Sequence, residues 1–386
     1  HAEERLNNAE ALAILSSDAL SSVAYATQEI VLVLGLAGAS ALHFTLPITG
    51  LIVLLMVVVG ISYRQTILAY PQGGGSYTVS YENLGMWGGL VAGASLAIDY
   101  VLTVAVSVAA GIDAAVSYFP VLDNARVVMC LFAVLLLMVA NLRGVRASAT
   151  LLSLPTYLFI SAVMVLIIGG ILLLAHGQLP FVSADQQAIE LAQLQASHHG
   201  GLHAMGLVLL MKAFSSGCAA LTGIEAISNG VMAFKPTEWR NARRVLSVMV
   251  VLLASMFGGI SLLAHRTGVI YVDGGPTLLF QLGQRVFGND GPLLFLLQLG
   301  TLLILLLAAN TAYADFPRLS ALLAKDGFLP RQLASLGDRL VFSNGIVALS
   351  IFSGILLVFT KASVAGLIGL YAVGVFLCFT LSQAGM

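Results

Sequence analysis

Long apolar runs separated by short polar stretches set the pattern of this chain, with runs near residues 11–36, 46–68, 86–117, 125–142, 148–175, 203–233, 243–265, 289–314, 341–359 and 362–386. Each approaches or exceeds the roughly 20 apolar residues that cross a hydrocarbon core. The pattern therefore predicts ten membrane helices and an all-α integral membrane protein. The first and sixth runs differ from the rest, because small and polar residues sit in the middle of the apolar stretch. The first reads Leu15-Ser16-Ser17-Asp18-Ala19-Leu20-Ser21-Ser22-Val23-Ala24-Tyr25, and the sixth reads Phe214-Ser215-Ser216-Gly217-Cys218-Ala219-Ala220-Leu221-Thr222-Gly223-Ile224-Glu225. Interrupted helices at matching places in two five-helix halves point to an inverted repeat with its site near the bilayer midplane. On this reading a cytoplasmic segment, 1–10, precedes a first repeat over 11–175 and a second over 203–386. Close packing of small residues is the competing account, but it leaves a carboxylate in each interruption unexplained.

Composition sharpens the class. Of 386 residues, 59% are hydrophobic and 9% charged, against about 25% charged in a soluble domain, so a lipid bilayer is the expected surroundings. A net charge of -1 without a basic run excludes nucleic acid as a partner. With the N-terminus in the cytoplasm, the inner loops collect Arg64, Arg143, Arg146, Lys235, Arg240, Arg243, Arg244, Arg318, Lys325, Arg331 and Arg339. The outer loops collect Arg126, Arg266, Arg285 and Lys361. That asymmetry places a multi-pass protein in the cell membrane with its N-terminus inside. Cys130, Cys218 and Cys378 fall inside apolar runs and read as buried thiols. Residues 1–10 are polar, so no cleavable leader is expected. The last apolar run ends without a polar tail, so further helices or a cytosolic domain are expected beyond it.

The candidate chemistry lies inside the spans. Asp18 stands where a buried charge costs at least ~2.5 kcal/mol, so it needs a cation, a proton or a partner. Backbone carbonyls beside a helix break can replace the hydration shell of an alkali cation. Ser22 and Tyr25 follow at helical spacing. A plain helix cap is the alternative role for Asp18. Tyr100, Thr103 and Ser107, at i, i+3 and i+7, form a stripe of neutral oxygens, although each hydroxyl alone serves equally well to bond its own helix.

Glu225 and Asp99 are further deep carboxylates and, with Asp18, the candidates for proton coupling, because ion binding and protonation at a buried carboxyl are linked. Lys212, one turn before the sixth interruption, fits equally a structural ion pair with Asp99 or Glu225. Thr222 and Tyr371 add oxygens near the same depth, with interfacial anchoring the alternative for Tyr371. Asn310 and Asp315 read as packing and capping residues at the inner end of the eighth span. Pro71-Gln72-Gly73-Gly74-Gly75-Ser76-Tyr77 lacks the Lys-Ser/Thr of a phosphate loop and reads as a flexible cytoplasmic connection. Without a nucleotide signature, transport is expected to run on a gradient, with no cofactor and no enzymatic step. His43, His176, His198, His199, His203 and His265 fall at outer ends or loops, and His1 at the terminus. The spacing of His198, His199 and His203 is compatible with a metal, but a solvated loop is the better account, and no transition metal is expected.

Several of these stretches resemble the bacterial potassium importers related to the KUP transporters, within the amino acid-polyamine-organocation superfamily. They are the run from Leu15 to Tyr25, Tyr70-Pro71-Gln72-Gly73-Gly74-Gly75, Asp99 to Ser107, Lys212 to Cys218, Leu221-Thr222-Gly223, Glu225 to Asn229, and Leu370 to Phe376. The resemblance implies a LeuT-type fold of five plus five helices, broken in spans 1 and 6, and potassium–proton symport by alternating access. It implies that Asp18, Tyr25, Tyr100, Thr103, Ser107, Thr222 and Tyr371 surround the potassium ion, with Glu225 a proton carrier. It also implies a homodimer supported by a C-terminal domain absent from this chain.

Within that fold an amino acid or polyamine permease is the main rival. Asp18 opposes a substrate carboxylate but not a polyamine. A divalent-metal carrier calls for a softer ligand than Cys218 alone. A channel needs a continuous pore, which broken helices do not supply.

Overall fold

A computed structural model of the chain describes residues 5–71, 75–144, 149–197, 206–289, 291–335 and 342–385. His1, Gln72, Gly73, Gly74, Arg146, His198, His199, His203, Arg339 and Met386 lie outside the described residues. The described residues are almost wholly helical, with an isolated parallel bridge between Leu6 and Phe234.

The first apolar run is divided into α1 (Asn8–Leu15), α2 (Ser17–Ser21) and α3 (Val23–Gly35). Asn7 starts it with a capping box: its Oδ1 accepts from the N–H groups of Ala9 and Glu10, and Glu10 Oε2 accepts from the N–H of Asn7. There follow α4 (Thr45–Ala69), α5 (Ser76–Tyr118), α6 (Arg126–Leu142) and α7 (Ala149–Ala175). After them come α8 (Ala184–Ser197), α9 (Leu207–Gly217), α10 (Ala226–Asn229), α11 (Glu238–Thr267) and α12 (Leu278–Phe287). The chain closes with α13 (Pro292–Lys325), α14 (Ser343–Phe359) and α15 (Val364–Gly385).

Among the described residues, 8 helical stretches are long and apolar enough to cross a membrane. The first run is not one of them, because it is split into three. The ninth, α14, has 17 residues and falls just short. Two boundaries differ strongly from the pattern-based expectation. The helix expected at 86–117 begins at Ser76, ten residues earlier, and passes through a kink at Gly85, whose φ of 81° only glycine adopts freely. The helix expected to end at 314 continues through Pro317 to Lys325. Two helices were not expected at all: α12 is too short to register as a span, and α8 is too polar.

Packing sorts the helices by face. α5 is the most enclosed span, lying against α13 and α15. α3 crosses α9, and α4 packs on α11. Leu51, Leu54 and Val58 on α4, Val128 and Phe132 on α6, Leu151 and Leu154 on α7, and Ile351 and Phe352 on α14 turn outward. Such apolar outer faces suit contact with lipid rather than water. The N-terminal end of the bundle is tied across the chain: Leu6 N–H donates to Ala233 O at 2.8 Å, Lys235 N–H donates to Leu6 O at 3.1 Å, and Arg5 pairs with Glu238. α8 lies at the opposite end, where Leu191 and Leu194 cover Leu32, Ile270 and Tyr271.

Candidate functional site

Serines shape the first segment. Ser17 Oγ donates to Ile14 O at 2.9 Å, Ser21 Oγ to Asp18 O at 2.8 Å, Ser22 Oγ to Ala19 O at 2.6 Å, and Ser16 Oγ to Leu12 O. These bonds back to the preceding turn compete with the helical ladder and loosen it. The departures at Ser16 (φ −102°, ψ 5°) and Ser22 (φ −62°, ψ −23°) are nevertheless small. The expected interruption of the first helix thus takes the form of three short helices laid nearly end to end. Asp18 sits in the first turn of α2, inside it rather than at its cap, which is Ser16. The capping role is therefore not the one this carboxylate has.

The sixth segment unwinds fully. α9 ends in a 3₁₀ turn over Cys218–Leu221, Thr222 is extended (φ −63°, ψ 149°), and Gly223 takes φ 74°. Helix resumes only at α10, with Glu225 as its N-cap residue. Gly223 faces the first segment at close range: a Cβ there would stand 2.7 Å from both Ala19 N and Asp18 Oδ2. The two interruptions therefore meet at Asp18, and only glycine fits that approach.

The remaining candidates come from α5 and α15. Tyr371, on α15, is buried, and its hydroxyl lies 3.1 Å from Thr103 Oγ1 on α5. Burial inside the bundle removes the interfacial-anchor reading. Tyr25, on α3, brings its hydroxyl beside Thr222 and Tyr371. Ser107 is buried one turn beyond Thr103, and Tyr100 is half-buried one turn before it. Thr222 Oγ1 donates to Ala219 O at 2.9 Å, which leaves its lone pairs free to accept.

Three carboxylates converge here. The charges of Asp18 and Glu225 both act on Asp99. Asp18 Oδ1, Asp99 Oδ1 and Glu225 Oε2 are each buried without a hydrogen-bond partner. Among the described residues no cationic side chain pairs with any of the three, and Lys212 is exposed, so the ion pair considered for it does not form. Buried carboxyl oxygens left this way are costly unless a proton or a cation joins them.

Sequence reasoning misplaces one neighbour and passes over others. Asp315, assigned above to capping, lies in mid-helix because α13 runs on past Pro317, and its charge acts on Asp18, Glu225 and Tyr100. Asn310 does serve packing, accepting from Asn141 Nδ2 at 2.8 Å. Glu29 on α3 and Asp113 on α5 are also buried, at 2% and 3% exposure, each with an unpartnered oxygen. A charged residue inside an apolar window is the signal that marks both. Tyr63, Ser76, Ser80, Ser228 and Ser382 add buried, unpartnered hydroxyls on α4, α5, α10 and α15. The thiols of Cys130, Cys218 and Cys378 are buried.

Comparison with known proteins bears on this arrangement. The potassium transporter KimA of Bacillus subtilis (strain 168) is 47% identical over 388 residues, an alignment that takes in 100% of this chain and 61% of that protein. The chain thus spans about three fifths of the length of the curated relative it matches. A family model described as amino acid permease matches residues 6–386. With nearly its whole length matched and its helices apolar enough to cross the bilayer many times, this multi-pass membrane protein belongs to the amino acid permease family.

Proposed function

We propose that the chain is the membrane core of a secondary transporter that imports potassium ions in symport with protons by alternating access. The observation that carries this reading is the meeting of the unwound residues 222–225 with Asp18, amid three buried carboxylates that no cationic side chain neutralises among the described residues. A negatively charged centre with neutral oxygens from Tyr25, Tyr100, Thr103, Ser107, Thr222 and Tyr371 suits a dehydrated alkali cation. The name carried by the Bacillus subtilis relative supports potassium as that cation. Glu225, Asp99 and Asp18 are the proton-coupling candidates, since a cation entering their midst favours the ionised carboxylates and releases protons.

The architecture proposed with this function is the LeuT-type arrangement of two inverted five-helix repeats, over 11–175 and 203–386, rocking about the shared centre. Interrupted helices in corresponding places support it. The excess of arginine and lysine on the N-terminal side supports a cytoplasmic N-terminus. The family's description as amino acid permeases raises an organic substrate as the alternative. An amino acid carboxylate would meet Asp18 unfavourably, whereas a polyamine would not.

Uptake into proteoliposomes under an imposed proton gradient tests the proposal. Potassium accumulation that collapses when an ionophore removes the gradient supports it. Accumulation that persists unchanged, or uptake of a polyamine in place of potassium, overturns it.

A further inference from the structure

Polar groups continue past Tyr25 toward the end of the bundle opposite the N-terminus. A narrow cavity of about 10 Å³ lies there, bounded by Tyr25 and Gln28 of α3, Asp113 of α5, Thr277 at the start of α12 and Thr301 of α13. That is room for about one water-sized particle. The oxygens of Thr301 and Gln28 are turned to accept, while Thr277 Oγ1 already accepts from the N–H of Phe280 at 3.4 Å. Thr301 Oγ1 donates its own proton to Leu297 O at 2.7 Å, and Gln28 Oε1 takes the N–H of Leu278 at 3.0 Å while retaining a second lone pair.

The charged member of this wall is poorly satisfied. Asp113 is 3% exposed, and its Oδ1 has no hydrogen bond, although Arg126 Nη1 stands 3.3 Å away. That contact is coulombic, without hydrogen-bond alignment. Arg126 is divided among several acceptors: Nη2 lies 3.1 Å from Asp123 Oδ1 and 3.4 Å from Gly274 O, while its Nε is buried and unpartnered. Glu29, next to Gln28, is also buried with an unpartnered oxygen, and the charges of Asp113 and Asp273 act on it with Lys212 in partial offset. Asp273 itself accepts from Ser363 Oγ at 2.8 Å. Negative charge therefore exceeds positive in this region, and its half-buried arginine is shared among Asp113, Asp123 and Gly274. A buried pair without good hydrogen bonds gains little over its desolvation cost.

We propose that Asp113, with the oxygens of Gln28 and Thr301, forms a second monovalent-cation site on the outer side of Tyr25, in which Arg126 is the resident counter-cation that an entering ion displaces. The one-particle volume and a single carboxylate suit an alkali ion, whereas calcium takes six to eight oxygens. The proposal rests on the cation-transport reading above and extends the ion path toward the outer face.

The test is initial potassium uptake by proteoliposomes carrying the full protein, measured over a series of external potassium concentrations. Asp113→Asn is expected to raise KM at least about tenfold, the equivalent of ~1.4 kcal/mol, with a smaller loss of maximal rate. Arg126→Gln is expected to lower KM, because Asp113 is then left for the ion, and Asp113→Glu to restore it toward the wild-type value. A purely structural ion pair predicts the same direction of change for Asp113→Asn and Arg126→Gln, and that result overturns the site. If Asp113→Asn fails to assemble, Arg126→Gln decides alone: a lowered KM supports the site, and an unchanged or raised KM overturns it. Lack of potassium uptake by the wild type overturns the transport reading and this site with it. Normal wild-type uptake with an unshifted KM in Asp113→Asn overturns the site alone.

Discussion

The first and sixth segments meet at one point, yet the chain leaves the helix in different ways on the two sides. From Asn8 to Gly35 it stays close to helical throughout, loosened by serine hydroxyls that bond back to Leu12, Ile14, Asp18 and Ala19. From Thr222 to Glu225 it abandons the helix, with an extended residue followed by a glycine at φ 74°. A back-bonding serine adds a competitor without removing the backbone bond, whereas a positive φ cannot be accommodated in a right-handed helix. The difference divides the labour at the centre. The first segment holds the Asp18 side chain on a nearly regular helix, and the sixth brings backbone and Glu225 up to it.

Gly223→Ala should break this contrast most severely. A left-handed φ costs a non-glycine residue about 1–2 kcal/mol. The added methyl would also lie 2.7 Å from Asp18 Oδ2 and Ala19 N, so one of the two segments must move. Potassium uptake is expected to fall at least about tenfold, an effect of ~1.4 kcal/mol or more, with the protein still inserted in the membrane. Uptake near the wild-type rate would show that the close approach of the two segments is incidental.

Ser22→Ala sharpens the other side of the comparison. It removes the 2.6 Å bond to Ala19 O but leaves the backbone bonds from Tyr25 and Ala26 N–H to Ser22 O. Polar contacts inside membrane bundles average about 0.6 kcal/mol, so a change of no more than about threefold in uptake is expected. A loss as large as that of Gly223→Ala would mean that the Ser22 hydroxyl itself serves the ion.

Both interruptions were legible because serine, glycine and carboxylate residues stand out against an apolar background. How far each one unwinds was not, because that depends on backbone angles that serine tolerates in either form and that Gly223 takes only against Asp18. Tyr371 and Thr103, 268 residues apart, were each readable as polar positions at depth, but their contact belongs to the packing of α15 on α5. Asp315 looked like a helix end because the apolar run weakens there, while α13 continues through Pro317. Glu29 and Asp113 are averaged away in strongly apolar windows, although the cost of burying a charge marks them when each is weighed singly.

On the proposed reading Asp18, where the two segments meet, holds the transported cation. Equilibrium binding of potassium to the purified protein, compared between wild type and Asp18→Asn, tests it most directly. Loss of that carboxylate is expected to weaken binding at least about tenfold. Unchanged potassium affinity in Asp18→Asn would contradict it.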